Sequence, residues 1–397
     1  MRRLLGEHSR LFLLLWMLTF LSVFSVSLVS PVIPYLVDEF VAEEAAAVMM
    51  IGLLNASFNS AKTLTNVPGG ILTDKLGRKT LIVASFLVLP FSFLLYYLSS
   101  NCYYLIAGEL IGGIALGLLV PAVSALVADI IPRATLSTTY GVFNLSWILS
   151  QIPSPILGGF LSDAVGLKFP FLIALIFSIP CVIASLKLDG RVETSATSKA
   201  SESPVREKDV GFGSSYKRAL ALFCGVEALN GLGDGILVTL FVVYPLYALK
   251  ASVLEMGAVF SISWGIATAL SQIPGGKLAD RFGEKPLILA SIMGSAPLLI
   301  MLPLTRTLTQ YLILLSLACI IGNLSAPAYS SWLATSIPPA KRGTGFGATS
   351  AAFGSGLIIG PIMGSLLWNA FQPQAIIPFA ISATFFLLTI PLIKAIR

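Results

Sequence analysis

Glu227, Asn230 and Asp234 stand three and four residues apart, a spacing that puts them on one face of a helix. The stretch around them, residues 218–247, is otherwise largely apolar. A carboxylate kept ionised within such a stretch costs at least about 2.5–3.5 kcal/mol if lipid surrounds it. Two of them persist most readily when they face a wet cavity or hold a proton, and a group that loads and releases a proton suits coupling. Glycines at 231, 233 and 235 would let this helix flex. A second polar stripe, Asn55, Asn59, Lys62 and Asn66, runs at spacings of 4, 3 and 4. Lys62 lies 12 residues (74 − 62) before Asp74, about 18 Å along a helix. That depth is too great for its ammonium to snorkel to water, so Lys62 needs a carboxylate, an anionic ligand or deprotonation.

Glu109 is a third acid in apolar surroundings, and it reads equally as a proton carrier or as a group at the water interface. Asn144, Trp147 and Gln151 in the first half of the chain, with Trp264, Gln272, Asn323, Tyr329 and Trp332 in the second, offer amide and aromatic surface. Such side chains around one cavity suit a partly apolar organic ligand.

The elements that carry these residues are membrane spans. The chain is 56% hydrophobic and 11% charged, against roughly 25% charged for soluble domains. A helix crosses hydrocarbon with about 20 apolar residues. Twelve segments qualify: 11–36, 46–73, 81–99, 103–131, 138–161, 169–188, 218–247, 254–279, 287–305, 309–337, 344–368 and 374–394. The first is too long for a signal peptide and has no small-residue cleavage site before Pro31, so it is expected to stay. Residues 189–217 are rich in Ser, Thr, Lys and Glu and cannot bury a core. They form a cytoplasmic linker between two domains, 1–188 and 218–397.

With both termini in the cytoplasm, the outer loops hold only Lys168, Lys250 and Arg306 among the basic residues, as the positive-inside rule requires. The net charge of +6 is thus sorted by loop, and no nucleic-acid partner is implied. Cys102, Cys181, Cys224 and Cys319 are scattered, and His8 is the lone histidine. Neither a histidine metal site nor a disulfide framework follows from them. No phosphate-binding loop, HExxH or Ser/His/Asp set is present. An ATP-driven pump and a membrane enzyme are therefore disfavoured, and no cofactor is expected.

The two domains are copies. Residues 68–80 read PGGILTDKLGRKT and residues 274–286 read PGGKLADRFGEKP. Asp280 follows Asp74 by 206 positions (280 − 74), and the same shift carries Gly70 to Gly276, Gly77 to Gly283 and Pro155 to Pro361. Internal repeats of this kind build transporters, with the substrate site at the repeat interface. Positions that break the repeat should carry the specific chemistry. Glu227, Asn230 and Asp234 correspond to Leu21, Phe24 and Leu28 in the first copy.

The repeated GGILTDKLGRK segment resembles the loop between the second and third helices of the major facilitator superfamily, and the likeness spans the whole chain. It implies an all-α fold of twelve transmembrane helices in two pseudo-symmetric six-helix bundles, working by alternating access. It also implies a latch of Asp74, Arg78 and Asp129 at the inner ends of helices 2 and 4. The second copy keeps Asp280 but has Glu284 in place of Arg78 and Thr335 in place of Asp129, so the latch belongs to the first half.

SQIPSPILGG (150–159, with Pro155, Gly158 and Gly159) and GLIIGPIMGS (356–365, with Gly360, Pro361 and Gly364) resemble the helix-5 signature of drug–proton antiporters in that superfamily. The fourth helix departs from the family: ELIGGIALG begins at Glu109, where those antiporters carry an arginine in an RxxxG pattern. The expected protein is a monomeric, multi-pass protein of the cell membrane that exports small amphipathic compounds against a flow of H⁺. Two alternatives stay open: a proton symporter importing a sugar or organic anion, favoured by Lys62, and a membrane sensor that no longer transports.

Overall fold

The computed structural model describes residues 9–130, 136–188, 215–337 and 342–396. The linker expected at 189–217 lies outside the described residues except for its last three, which begin a helix. Every described element is helical. In chain order they are α1 (Ser9–Phe40), α2 (Glu44–Leu76), α3 (Arg78–Tyr97) and α4 (Cys102–Ile130). Next come α5, in two pieces (Leu136–Ser150 and Ser154–Val165), and α6 (Phe169–Leu186). After the linker follow α7 (Ser215–Val243), α8 (Val253–Phe282), α9 (Glu284–Leu304) and α10 (Leu308–Ser336). The last two are α11 (Arg342–Phe371) and α12 (Ile376–Ala395).

Ten helices among the described residues are long and apolar enough to cross a membrane. The two traverses that miss this criterion are α2 and α5. The first carries the Asn55–Asn59–Lys62–Asn66 stripe, and the second is interrupted at residues 151–153. The repeat explains the break. The helix-5 and helix-11 signatures share the proline at 155 and 361, but α5 has Pro153 where α11 has Ile359. A second proline two residues away removes another backbone donor, so α5 breaks while α11 runs through Pro361 unbroken. The turns after α2 and α8 are equivalent as well. Gly77 and Gly283 sit at φ 88° and 89°, a left-handed conformation that favours glycine.

Within the bundles, glycines bring backbones into contact, the route to helix association where lipid removes any hydrophobic drive. A Cβ on Gly113 or Gly117 of α4 would strike the α2 backbone at Phe58 and Lys62. Gly231 and Gly235 of α7 lie against Phe353, Gly356 and Gly360 of α11, and Gly233 faces Phe386 of α12. The flexible helix expected from these three glycines is instead a tightly clamped one, because each missing side chain is filled by a neighbouring helix. The Thr239 hydroxyl fastens the same crossing by donating to the Pro361 carbonyl at 3.0 Å.

Two seams join the bundles, and they are symmetry equivalents. Gly159 of α5 packs on Val253 and Leu254 of α8. Residues 206 positions away repeat the contact, with Ser365 of α11 donating to the Val48 carbonyl of α2 at 2.8 Å. Hydrogen bonds between the bundles gather at this end, far from the linker. Tyr35 donates to the carbonyls of Ala251 (2.6 Å) and Ser252 (2.9 Å). Tyr247 donates to Asp38 at 2.9 Å, and the Leu254 amide donates to Asp163 at 3.2 Å. Asn369 and Gln372 reach Ala45 and Glu44, both at 2.8 Å.

The linker end is different. Gly70, Gly276 and Gly347 have nothing within 4 Å of an added Cβ, and Leu64, Leu270 and Ile273 are exposed. Among the described residues the hydrogen bonds between the bundles gather at the far end, and these linker-end positions face open space.

Overpacking a close crossing costs about 1–3 kcal/mol and occasionally more. Gly360→Val should therefore lower the thermal unfolding midpoint of the purified protein clearly, whereas Gly347→Ala should leave it nearly unchanged. Equal midpoints for the two variants would contradict the packing described for α7 and α11.

Candidate functional site

Two cavities share one wall. The first, of about 160 Å³, lies between the bundles, beneath the closed far end. Val26, Asn55, Phe58, Tyr96 and Glu109 line it from the first bundle, and Val238, Val242, Phe260 and Trp264 from the second. The second cavity, of about 420 Å³, lies inside the second bundle. It is lined by Glu227, Asn230 and Asp234 of α7, Asn323 and Tyr329 of α10, and Phe386 of α12, with Trp264 at its side.

The helical spacing read from the sequence thus brings Glu227, Asn230 and Asp234 to one cavity. The Tyr329 hydroxyl lies beside the Glu227 carboxyl, and Cys319 lies near Asp234. Asn323 also faces this space while its amide donates to the Cys319 carbonyl at 2.9 Å. A cavity of this size lined by two carboxylates and two amides has room for water, which lowers the cost of the acids and gives them a route for protons. Among the described residues no group of three or more His, Cys, Asp or Glu side chains could hold a metal ion.

The sequence leaves Glu109 open between a proton carrier and a group in water at the interface. It is only 9% exposed, so it is no interfacial group in water. It begins about 10 Å into α4 from Cys102, and its carboxyl lies against the Tyr96 hydroxyl of α3, close to Ser92. Neither Tyr96 nor Ser92 stood out in the sequence, because a tyrosine and a serine in an apolar helix look like ordinary packing groups. The spacing that places Tyr96 opposite Glu109 exists only once α3 and α4 are folded together.

Trp264 is the wall between the cavities. It stacks on Phe260 at 4.4 Å between ring centroids and leans on Phe241 at 6.2 Å. Its segment of α8, Phe260–Ala267, is wound as a π-helix, a local widening that recurs at functional sites. Gly265, in the same segment, rests on Gln151 and Ile152 at the break in α5. The sequence marks Trp264 as amphipathic surface but gives no sign of the π-helical turn.

The remaining candidates are spread out. Asn55 faces the first cavity, and Asn59 donates to the Asn55 carbonyl at 2.8 Å. Lys62 is half-buried with its backbone against Gly113 and Gly117 of α4, and it lines neither cavity. Asn66, Trp147, Gln151 and Gln272 are half-buried, and Asn144 is exposed. Trp332 packs edge-on against Phe223. Of the latch, Arg78 is half-buried at the start of α3, while the side chains of Asp74 and Asp129 lie outside the described residues. Gly69 touches the Gly117 carbonyl, but its neighbour Gly70 faces open space. Asp280 and Glu284 line a shallow hollow with Gly276 and Gly283, and the Ser331 hydroxyl donates to Glu284 at 2.5 Å. In the signatures, Gly158 abuts Leu28 of α1, and Gly364 abuts Ile236 of α7.

The sequence profile of the Major Facilitator Superfamily matches residues 15–226 and 222–396. The tetracycline resistance protein, class H, of Pasteurella multocida is 24% identical over 359 residues, 90% of this chain and 88% of that protein. The multidrug resistance protein MdtG of Citrobacter koseri is 27% identical over 365 residues, 91% and 89%. The quinolone resistance protein NorA of Staphylococcus aureus (strain COL) is 27% identical over 357 residues, 88% of each. Among solved structures, an inward-facing bacterial homologue of the human lysosomal transporter Spinster superposes with a TM-score of 0.75. That match is 15% identical and covers 98% of this chain and 96% of the other. A D-xylose–proton symporter superposes with a TM-score of 0.73 at 17% identity, covering 95% and 96%; these two show the fold alone. A family profile that spans both repeats, on a fold of two six-helix bundles with a cavity between them, places this chain in the Major Facilitator Superfamily: it is a membrane transporter of small molecules, not an enzyme.

Proposed function

We propose that the protein exports small amphipathic organic compounds from the cell in exchange for protons, by alternating access. The observation that carries the reading is the Glu227–Asp234 pair, held on one face of α7 and turned into a cavity inside the second bundle. A second support is the set of relatives named for resistance to several drugs, to tetracycline and to quinolones. The linker end is assigned to the cytoplasm, because the far-end loops hold only Lys168, Lys250 and Arg306 among the basic residues. The protein is then a monomer in the cell membrane with both termini inside, two domains flanking the linker, and no cofactor beyond the coupling H⁺. On this assignment the described state is open inward.

In that state a carboxylate of the pair is in reach of the cytoplasm, where its proton leaves. Closure of the linker end and release of the far-end seams turns the same group to the outside, where it is reloaded. Substrate taken up on the inside leaves on the outside in the complementary step. Glu227 is favoured as the carrier: at 12 residues into α7 (227 − 215) it lies about 18 Å from the linker end, on the cytoplasmic side of Asp234. The Asp74–Arg78–Asp129 latch belongs to the opposite, outward-open state, with Gly70 and Gly276 closing against the partner bundle there.

Glu227→Gln or Asp234→Asn, whichever removes the carrier, should abolish drug export driven by a pH gradient in proteoliposomes. Gradient-independent exchange of substrate should survive. If both variants accumulate substrate against its gradient as the native protein does, the coupling assignment fails.

A different outcome tests the motion. Gly70→Leu and Gly276→Leu should leave thermal stability of the inward-open form within about 0.5 kcal/mol of native, as for surface substitutions, yet slow transport at least tenfold by blocking closure. Native transport rates in both would show that the linker end does not close on these glycines.

A further inference from the structure

Two of the three acids in the cavities are accounted for by proton coupling. The third, Glu109, belongs to the other cavity. Among the described residues lining the space between the bundles it is the only carboxylate, with no Lys, Arg or His beside it, and Phe58, Phe93, Phe260 and Trp264 supply aromatic walls. Its described neighbour is the Tyr96 hydroxyl, which in turn lies against Ser92, and among the described residues it has no cationic partner. Trp264 stands between it and the Glu227–Asp234 cavity, so Glu109 is no direct member of that pair.

We propose that Glu109 is the counter-charge of a binding site for an organic cation, an ammonium group carried on a compact aromatic body, in the cavity between the two bundles. A carboxylate in a poorly solvated, apolar space attracts a cation far more strongly than it would in water. Aromatic faces add cation–π attraction to the same ligand. An anionic ligand meets like charge there and is rejected, which supplies specificity through repulsion as well as attraction. The 160 Å³ space is smaller than the ~300–1,000 Å³ of sites for drug-sized ligands, so the site holds one ring and its cationic group. Val26 and Val29 on one side and Val238 and Val242 on the other place such a ligand against both bundles. Its occupancy therefore bears on the equilibrium between the two states. The inference rests on the reading of the chain as an exporter coupled through Glu227 and Asp234, and names the chemistry of its substrate.

The test is equilibrium binding to the purified full-length protein in detergent at pH 8, with no gradient, read by tryptophan fluorescence. Benzyltrimethylammonium is the cationic probe, and N,N-dimethylbenzamide is an uncharged ligand of similar size. The native protein should bind the cation saturably. Glu109→Gln should weaken it at least tenfold, Glu109→Asp by less than that, and the amide should change by less than twofold in either variant. Absence of saturable cation binding by the native protein would overturn the proposal. So would a Glu109→Gln variant that keeps its affinity, or one that loses cation and amide alike. If Glu109→Gln does not fold, Val238→Lys sets a fixed ammonium in the same wall. Loss of the cation alone then supports the site, and retention overturns it. Failure of proton coupling would show in the gradient-driven transport assay and leave this binding result unaffected.

Discussion

The cost of holding charge inside a membrane shapes this molecule more than any other term. Each ionised side chain in a span costs at least about 2.5–3.5 kcal/mol unless water or a partner relieves it. Glu109, Glu227 and Asp234 all stand within spans, and all three face internal cavities instead of lipid. The helices around them are arranged so that the acids have somewhere to turn. α7 presents its polar face to the interior of its own bundle, leaving its glycine face for α11. α4 does the same, with Glu109 turned to the cavity and Gly113 and Gly117 pressed on α2.

Those glycine faces hold each bundle together. Backbone-to-backbone contacts of this kind resist bending, because any tilt of one helix meets main-chain atoms of the next. The α2–α4 and α7–α11 crossings tie each bundle into a unit, and the seams run between the units. The seams are pseudo-symmetric, α5 on α8 and α2 on α11, but their materials differ. α5 is broken beside Pro153, and α8 carries its π-helical turn at the same level, whereas α2 and α11 are continuous. The irregular seam is also the one that carries Trp264, the wall shared by the two cavities. Both cavities therefore adjoin, through Trp264, the surface where the bundles meet.

The architecture was legible in the sequence because lipid leaves few solutions: long apolar runs are helices, and a 206-residue repeat makes two bundles. The Glu227–Asn230–Asp234 face was legible for the same reason, since helical spacing alone decides it. What the sequence concealed depends on contacts between helices. Gly231, Gly233 and Gly235 read as a hinge and are a packing surface, because glycine permits both and only the neighbour decides. Pro155 was visible as a kink, but the break in α5 needed Pro153 as well. Glu109 was ambiguous along its own helix and became a buried group only when α3 brought Tyr96 to it. The Asp74–Arg78–Asp129 latch rests on resemblance alone.

The central claim is that the seams at the far end open as the linker end closes, in response to the protonation of α7. Distances between spin labels test it directly, with pairs at Val165 and Lys250 for the far end and at Leu76 and Phe282 for the linker end, in protein freed of its four native cysteines. Between pH 8 and pH 5, the far-end and linker-end distance distributions should shift in opposite directions. The Glu227→Gln, Asp234→Asn double variant should show one distribution at both pH values. Distances that stay fixed in the native protein, or that lengthen together at both ends, would contradict alternating access coupled through these carboxylates.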